Sequence, residues 1–182
     1  MPIATRCSSR RLLGLTLVEL MVCVAVLAIL VTVGMPSMQG FLARRRLDGL
    51  SAQFVADLQF ARAAAVARGE VLRLRFQVLD NTSCYLLHTG SANACACLPE
   101  QGTSCIGTAQ VLRVVHTAAS ERSSVRANVS SLLIDPRQGT ISPTGSIDIT
   151  VSDGSSLRHV VNILGRVRLC APGAKVNDVP AC

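Results

Sequence analysis

Residues 15–35 form an unbroken apolar stretch of 21 residues with a single charge, Glu19. At about 1.5 Å per residue this makes about 30 Å of helix, enough to cross a hydrocarbon core. Residues 1–14 before it are polar and basic, with Arg6, Arg10 and Arg11, and Pro36 and the triplet Arg44, Arg45 and Arg46 follow it. A secretory signal has a shorter apolar region and a small-x-small cut site directly behind it. No such site follows here, so the stretch is expected to stay in the mature chain as a lipid-embedded helix. Arginines stand on both sides of it, and the positive-inside rule is close to a tie. Arg44–Arg46 are expected to meet lipid headgroups or solvent.

Cysteines decide the orientation. Of the eight, Cys84, Cys95, Cys97, Cys105, Cys170 and Cys182 lie in the polar two-thirds of the chain. An even set of this kind suggests disulfides and an oxidising compartment, so the C-terminal part is expected on that side of the membrane. Their spacing lacks zinc knuckles, and His88, His116 and His159 flank no cysteine at ligand spacing, so neither a metal nor a cofactor is expected. Cys170 is expected to pair with Cys182. Cys84, Cys95, Cys97 and Cys105 allow three connectivities, with Cys84 favoured to bond Cys97 or Cys95. Cys23, inside the apolar helix, is expected to be reduced.

Hydrophobic residues make up 49 % of the chain and charged ones 16 %, which excludes a disordered or highly charged scaffold. Five aromatic residues and no Trp argue against a protein that stacks single-stranded bases. The net charge of +7 permits an anionic partner. G-x-S-x-G, H-E-x-x-H and P-loop patterns are all missing, and no enzyme is expected.

Pro36 lacks an N–H and is expected to kink or open the helix. Beyond it Phe41, Leu47, Leu50, Phe54, Leu58, Ala61 and Ala65 recur mostly at three- and four-residue spacing, an amphipathic helix ended by Gly69. The period then changes to two. Leu72, Leu74, Phe76 and Val78 fall on one face, and Arg73, Arg75 and Gln77 on the other, a half-exposed strand. Further strands are expected over 84–88, 110–116, 125–129, 132–135, 146–151, 156–164 and 166–169, with 90–109 a disulfide-stapled loop. The segments are therefore 1–14, a leader; 15–35, a membrane helix; 36–69, its amphipathic continuation; and 70–182, a β-rich domain. The class is α+β.

A carboxylate in an apolar helix is costly, and Glu19 calls for a cationic partner such as the free α-amino group of a neighbouring helix. Gly14-Leu15-Thr16-Leu17-Val18-Glu19, behind a basic leader and ahead of an apolar run with Pro36, resembles the type IV prepilin signature. The resemblance implies a membrane peptidase that cuts after Gly14, methylation of the new N-terminus at Leu15, and an assembly role for Glu19. Leu15 departs from the family, where Phe is usual. Residues 133–139 (LIDPRQG) and 162–170 (NILGRVRLC) resemble minor pilins and pseudopilins of the GspH/FimT type. That implies a long helix packed on a domain of antiparallel sheets. It also implies other pilins, a prepilin peptidase and an inner-membrane assembly platform as partners, and an inner-membrane protein with a periplasmic domain that passes into a pilus or pseudopilus.

Arg166 and Arg168 in Gly165-Arg166-Val167-Arg168 share one strand face about 6.6 Å apart, a spacing that suits successive phosphates. In FimT-like proteins a C-terminal G-R-x-R motif is tied to DNA binding. The resemblance thus implies a minor pilin that takes DNA for transformation at Arg166 and Arg168, with Arg137, Arg158 and Lys175 as further members. The rival reading is a type II secretion pseudopilin or a priming tip pilin that binds no DNA.

Overall fold

The computed structural model describes residues 16–80, 82–99, 102–117, 123–173 and 179–182, with the side chains of 33–37 outside that set. The chain divides into two compact units, residues 1–39 and 40–182. A single helix, α1, covers Leu17–Arg68, and Pro36 lies inside it without ending it.

In the first unit Thr16 caps the helix. Its Oγ1 accepts the Glu19 N–H at 3.2 Å and its carbonyl accepts the Leu20 N–H at 3.1 Å. Thr16 and Glu19 thus have the T-x-x-E spacing of a capping box, with an acidic side chain in the first turn where the helix dipole favours it. Every described side chain from Leu17 to Thr32 is exposed, on all sides of the helix. A helix apolar all round is made to be covered by lipid or by other helices. Among the described residues no helix is long and apolar enough to cross a membrane. The expected span, 15–35, starts at Leu15 and ends within 33–35, both outside the described side chains.

The second unit holds the helix from Gly40 onward and, among the described residues, eleven strands. Leu47, Phe54, Leu58, Ala61 and Ala65 are buried, as their spacing requires. Phe41 is not: it stands exposed, with Arg45 over its ring at 5.1 Å, and Ala43 takes its place in the buried stripe. Phe41 lies thirteen residues before Phe54, and at about 3.6 residues per turn that puts it on the opposite side of the helix.

Strands β1 (Leu72–Leu79), β2 (Thr82–Thr89), β5 (Val111–Thr117), β7 (Ser131–Ile134) and β8 (Ile141–Ser142) form a sheet in the order β5-β2-β1-β7-β8. Strands β6 (Ser124–Ala127), β9 (Gly145–Thr150), β10 (Ser156–Val161) and β11 (Val167–Cys170) form a second, ordered β11-β10-β9-β6. Paired strands are antiparallel throughout both sheets. The inner faces and the helix share one core centred on Phe54, whose ring lies 5.8 Å from Tyr85, 6.3 Å from Phe76 and 5.2 Å from His159.

The region expected as a loop over 90–109 contains a hairpin, β3 (Cys95–Cys97) with β4 (Thr103–Cys105). It explains why the polar face of β1 is not left to solvent. Arg75 Nη1 donates to the Cys95 carbonyl at 2.8 Å, Gln77 Oε1 accepts the Cys97 N–H at 2.6 Å, and Arg73 Nε donates to the Gly90 carbonyl at 3.2 Å. Disulfides Cys84–Cys97 and Cys95–Cys105 fix the hairpin, and Cys84 and Leu86 of β2 are buried in a second cluster with Cys95 and Cys97. The strand expected over 156–164 ends at Val161, because residues 162–165 turn the chain into β11.

Candidate nucleic-acid interface

The β10–β11 turn is built by its own polar groups. The Gly165 N–H donates to the Asn162 carbonyl at 2.9 Å, the Asn162 N–H to the Arg166 carbonyl at 3.1 Å, and Asn162 Oδ1 accepts the Arg166 N–H at 2.9 Å. Gly165 has φ of 70°, the left-handed region open to glycine. It also lies on Arg62 of α1, where a Cβ would stand 2.6 Å from Arg62 Nε. Arg62 Nε in turn donates to the Gly139 carbonyl at 2.9 Å. One helix side chain therefore braces two turns, one leading into Arg166 and the other carrying Arg137.

On β11 Val167 packs against the core and Arg168 is exposed, while Arg166, expected on the same strand face, is exposed in the turn one residue before the strand begins. Among the described residues neither guanidinium has an ion-pair or hydrogen-bond partner. Arg168 lies opposite Val160 of β10. Arg158, two residues before Val160 on the same face, is bound to Asp148 of β9: Nε to Oδ1 at 2.7 Å and Nη2 to Oδ2 at 2.8 Å. These bonds raise the affinity of Arg158 for its proton. Arg158 is thus already engaged, unlike Arg166 and Arg168. Arg137 is exposed on the turn after β7, where Asp135 Oδ1 accepts its N–H at 2.8 Å. Lys175 lies outside the described residues.

Two cationic groups that the sequence reading did not select bear on this surface or its supports: Arg62 beneath the turn, and Arg126 of β6. Arg126 is exposed and pairs in register with Asp148. Nothing in residues 124–127 by themselves shows that they border β9, because that pairing is tertiary.

Residues 50–165 match the family described as Type II transport protein GspH, and residues 10–35 match the prokaryotic N-terminal methylation motif. The chain belongs to the GspH family. It is a pilin-like protein of the GspH type with an N-terminal methylation motif, and the matched families are structural rather than enzymatic. Among solved structures, this GspH-family chain is similar to the type IV minor pilin FimU of Pseudomonas aeruginosa strain PAO1. There the identity is 18 %, the TM-score 0.50, and the likeness covers 76 % of this chain and 98 % of that one. It is also similar to the minor pseudopilin EpsH from the type 2 secretion system of Vibrio cholerae, at 15 % identity and a TM-score of 0.45, covering 70 % and 98 % of the two chains. The likeness to FimU is one of fold: an N-terminal helix with a domain of antiparallel sheets. No curated protein matches the sequence.

The other sequence-predicted residues of this GspH-family protein take these places. Gly14 and Leu15 lie outside the described residues, and Glu19 is exposed in the first helical turn. Cys170 is bonded to Cys182, next to a bridge between Ala171 and Ala181, and Cys23 is an exposed free thiol. Cys84, Cys97 and His116 gather their ligand-type atoms within 4.8 Å, and the disulfide engages both sulfurs. His88 and His159 are buried, and burial holds both below the usual imidazole range. For His159 the Ile147 main chain and the Asp148 carboxylate offset part of that. His159 Nε2 meets Ser51 Oγ at 2.8 Å and ties the helix to β10. Tyr85 donates to buried Asp57 at 2.9 Å, with Arg113 3.4 Å from the same carboxylate. Burial, then Asp57, pushes the Tyr85 hydroxyl well above its usual range. These groups fasten the helix to the sheets.

Proposed function

We propose that this protein is a minor pilin of a type IV pilus that captures DNA for uptake, through phosphate contacts at Arg166 and Arg168. The supporting observation is the pair itself: Arg168 on β11 and Arg166 in the turn directly before it, two residues apart, both exposed and with no carboxylate partner among the described residues. Two such groups suit successive phosphates, and the contact carries no base information. In this reading the leader is cut after Gly14 by a prepilin peptidase and Leu15 becomes the methylated N-terminus. The protein waits in the inner membrane among lipid, its domain in the periplasm, until the assembly platform draws it out. Glu19 then pairs with a neighbour's α-amino group.

The test is fluorescence anisotropy of the processed full chain in detergent with labelled DNA at several salt concentrations. The change Arg166→Gln with Arg168→Gln should weaken binding tenfold or more at moderate salt. It should also lower the slope of log affinity against log salt by about 1.8 for duplex DNA. Unrelated sequences should lose affinity alike. The second reading, a type II secretion pseudopilin, draws on the description of the matched family as a type II transport protein. Absence of salt-dependent binding by the unaltered protein would favour it.

A further inference from the structure

We infer that the DNA track crosses the whole outer face of the four-stranded sheet, with Arg126 on β6 as its far contact and Asp148 as a carboxylate that weakens it. This rests on the reading of Arg166 and Arg168 as phosphate contacts. The face follows from alternation. Val125, Ile147, Ile149, Leu157, His159 and Val161 are buried on the inner side. Their neighbours Arg126, Ser146, Asp148, Arg158 and Val160 therefore point outward. Register then aligns them in rows across the strands. Cys170, Arg158, Asp148 and Arg126 form one row, and Arg168, Val160 and Ser146 begin the next. Asn128 completes the second row, since Asn128 N–H donates to the Ser146 carbonyl at 3.1 Å and its Oδ1 accepts the Ser146 N–H at 2.8 Å.

Strands lie about 4.8 Å apart, so β11 to β6 is about 14 Å. Each strand of duplex DNA carries one phosphate per about 3.4 Å of axis, and this width underlies about four of them. Over that width stand the arginines 126, 158, 166 and 168 and, among the described residues of those rows, one carboxylate, Asp148. Beyond Val160 the side chains between are the polar Ser146 and Asn128, and β6 and β9 share a depression lined by Arg126, Asn128, Ser146, Asp148 and Arg158. A backbone could approach closely there.

Asp148 stands between two of the cations. Both of its oxygens are held by Arg158, and Arg126 flanks it in register with no ion-pair partner among the described residues. Arg126 is therefore available to a phosphate. Arg158 can meet one only through the N–H groups its bonds to Asp148 leave over, and the Asp148 charge offsets its own.

The same anisotropy assay, on the full chain in detergent, tests this. Arg126→Gln should weaken DNA binding about fivefold and lower the salt slope by about 0.9, one phosphate contact. Arg126→Lys should keep part of the affinity, since it keeps the charge but not the planar fork. Asp148→Asn should tighten binding severalfold and steepen the slope. Arg68→Gln, at the end of α1 and off this sheet, controls for net charge, and circular dichroism checks each fold. If the unaltered protein shows no salt-dependent binding, the DNA reading fails and this track fails with it. If it binds through Arg166 and Arg168 while Arg126→Gln behaves like Arg68→Gln, the track ends at β11 and only this inference is overturned. Weaker binding by Asp148→Asn would overturn the weakening role of the carboxylate.

Discussion

A methyl group at Gly165 would meet two obstacles at once. The φ of 70° puts an L side chain in the left-handed region, at about 1–2 kcal/mol. The methyl would also stand 2.6 Å from Arg62 Nε, so Arg62 must shift and its 2.9 Å bond to the Gly139 carbonyl is disturbed. Gly165→Ala is expected to destabilise the domain by about 2–3 kcal/mol, a fall of roughly 4–12 °C in melting temperature for a chain of this size. The turn that aims Arg166 moves with Arg62, so DNA affinity should fall even well below the melting temperature. Thermal denaturation and anisotropy at 20 °C separate the two effects. An unchanged affinity would mean that the turn does not position Arg166.

At the scale of elements the helix stripe carries the most energy. Phe54 is fully buried, with Phe76, Tyr85 and His159 around its ring, so it joins α1 to both sheets. Phe54→Ala is expected to cost about 3–5 kcal/mol. Urea denaturation of the 40–182 unit within the full chain, followed by tyrosine fluorescence of Tyr85, measures it. A loss under 1 kcal/mol would mean that the contact between helix and sheets is not as described. Much of this was legible beforehand. The three- and four-residue spacing from Leu47 to Ala65, the stop at Gly69 and the alternation from Leu72 are local patterns, and the helix and strands fall where those patterns end. Tertiary choices were not legible. Arg73, Arg75 and Gln77 read as a solvent face because alternation marks two faces without saying what covers the second. Here a hairpin does, anchored through main-chain groups of Gly90, Cys95 and Cys97 that carry no sequence signal. The site divides in the same way. Arg166 and Arg168 are visible as a tetrapeptide, whereas Arg126 joins them only through the pairing of β6 with β9, and Arg158 is engaged by a carboxylate ten residues away.

For the whole molecule, the first unit presents apolar side chains on every side and one carboxylate, Glu19, in its first turn. Glu19→Ala is expected to enter the membrane at least as well as the unaltered chain, since a charge is removed from an apolar segment. It should be missing from sheared filaments because no carboxylate remains for a neighbour's α-amino group. Thr16 still caps the helix in that variant, so circular dichroism should show an intact helix. Normal incorporation into filaments would overturn the assembly role. The order of the second sheet has a consequence wherever two copies of the domain meet. Among the described residues β11 is an outermost strand, and an outermost edge is a template onto which an identical strand can add. The clasp of Cys170 with Cys182 shields its end. Arg166 and Arg168 would bring like charges face to face where two such edges meet, and like charges oppose pairing. A copy stripped of both would lose its grip on phosphate and its guard against self-association together. Clumping of neutralised filaments would then have to be told apart from failed capture before any loss of uptake is assigned to the site.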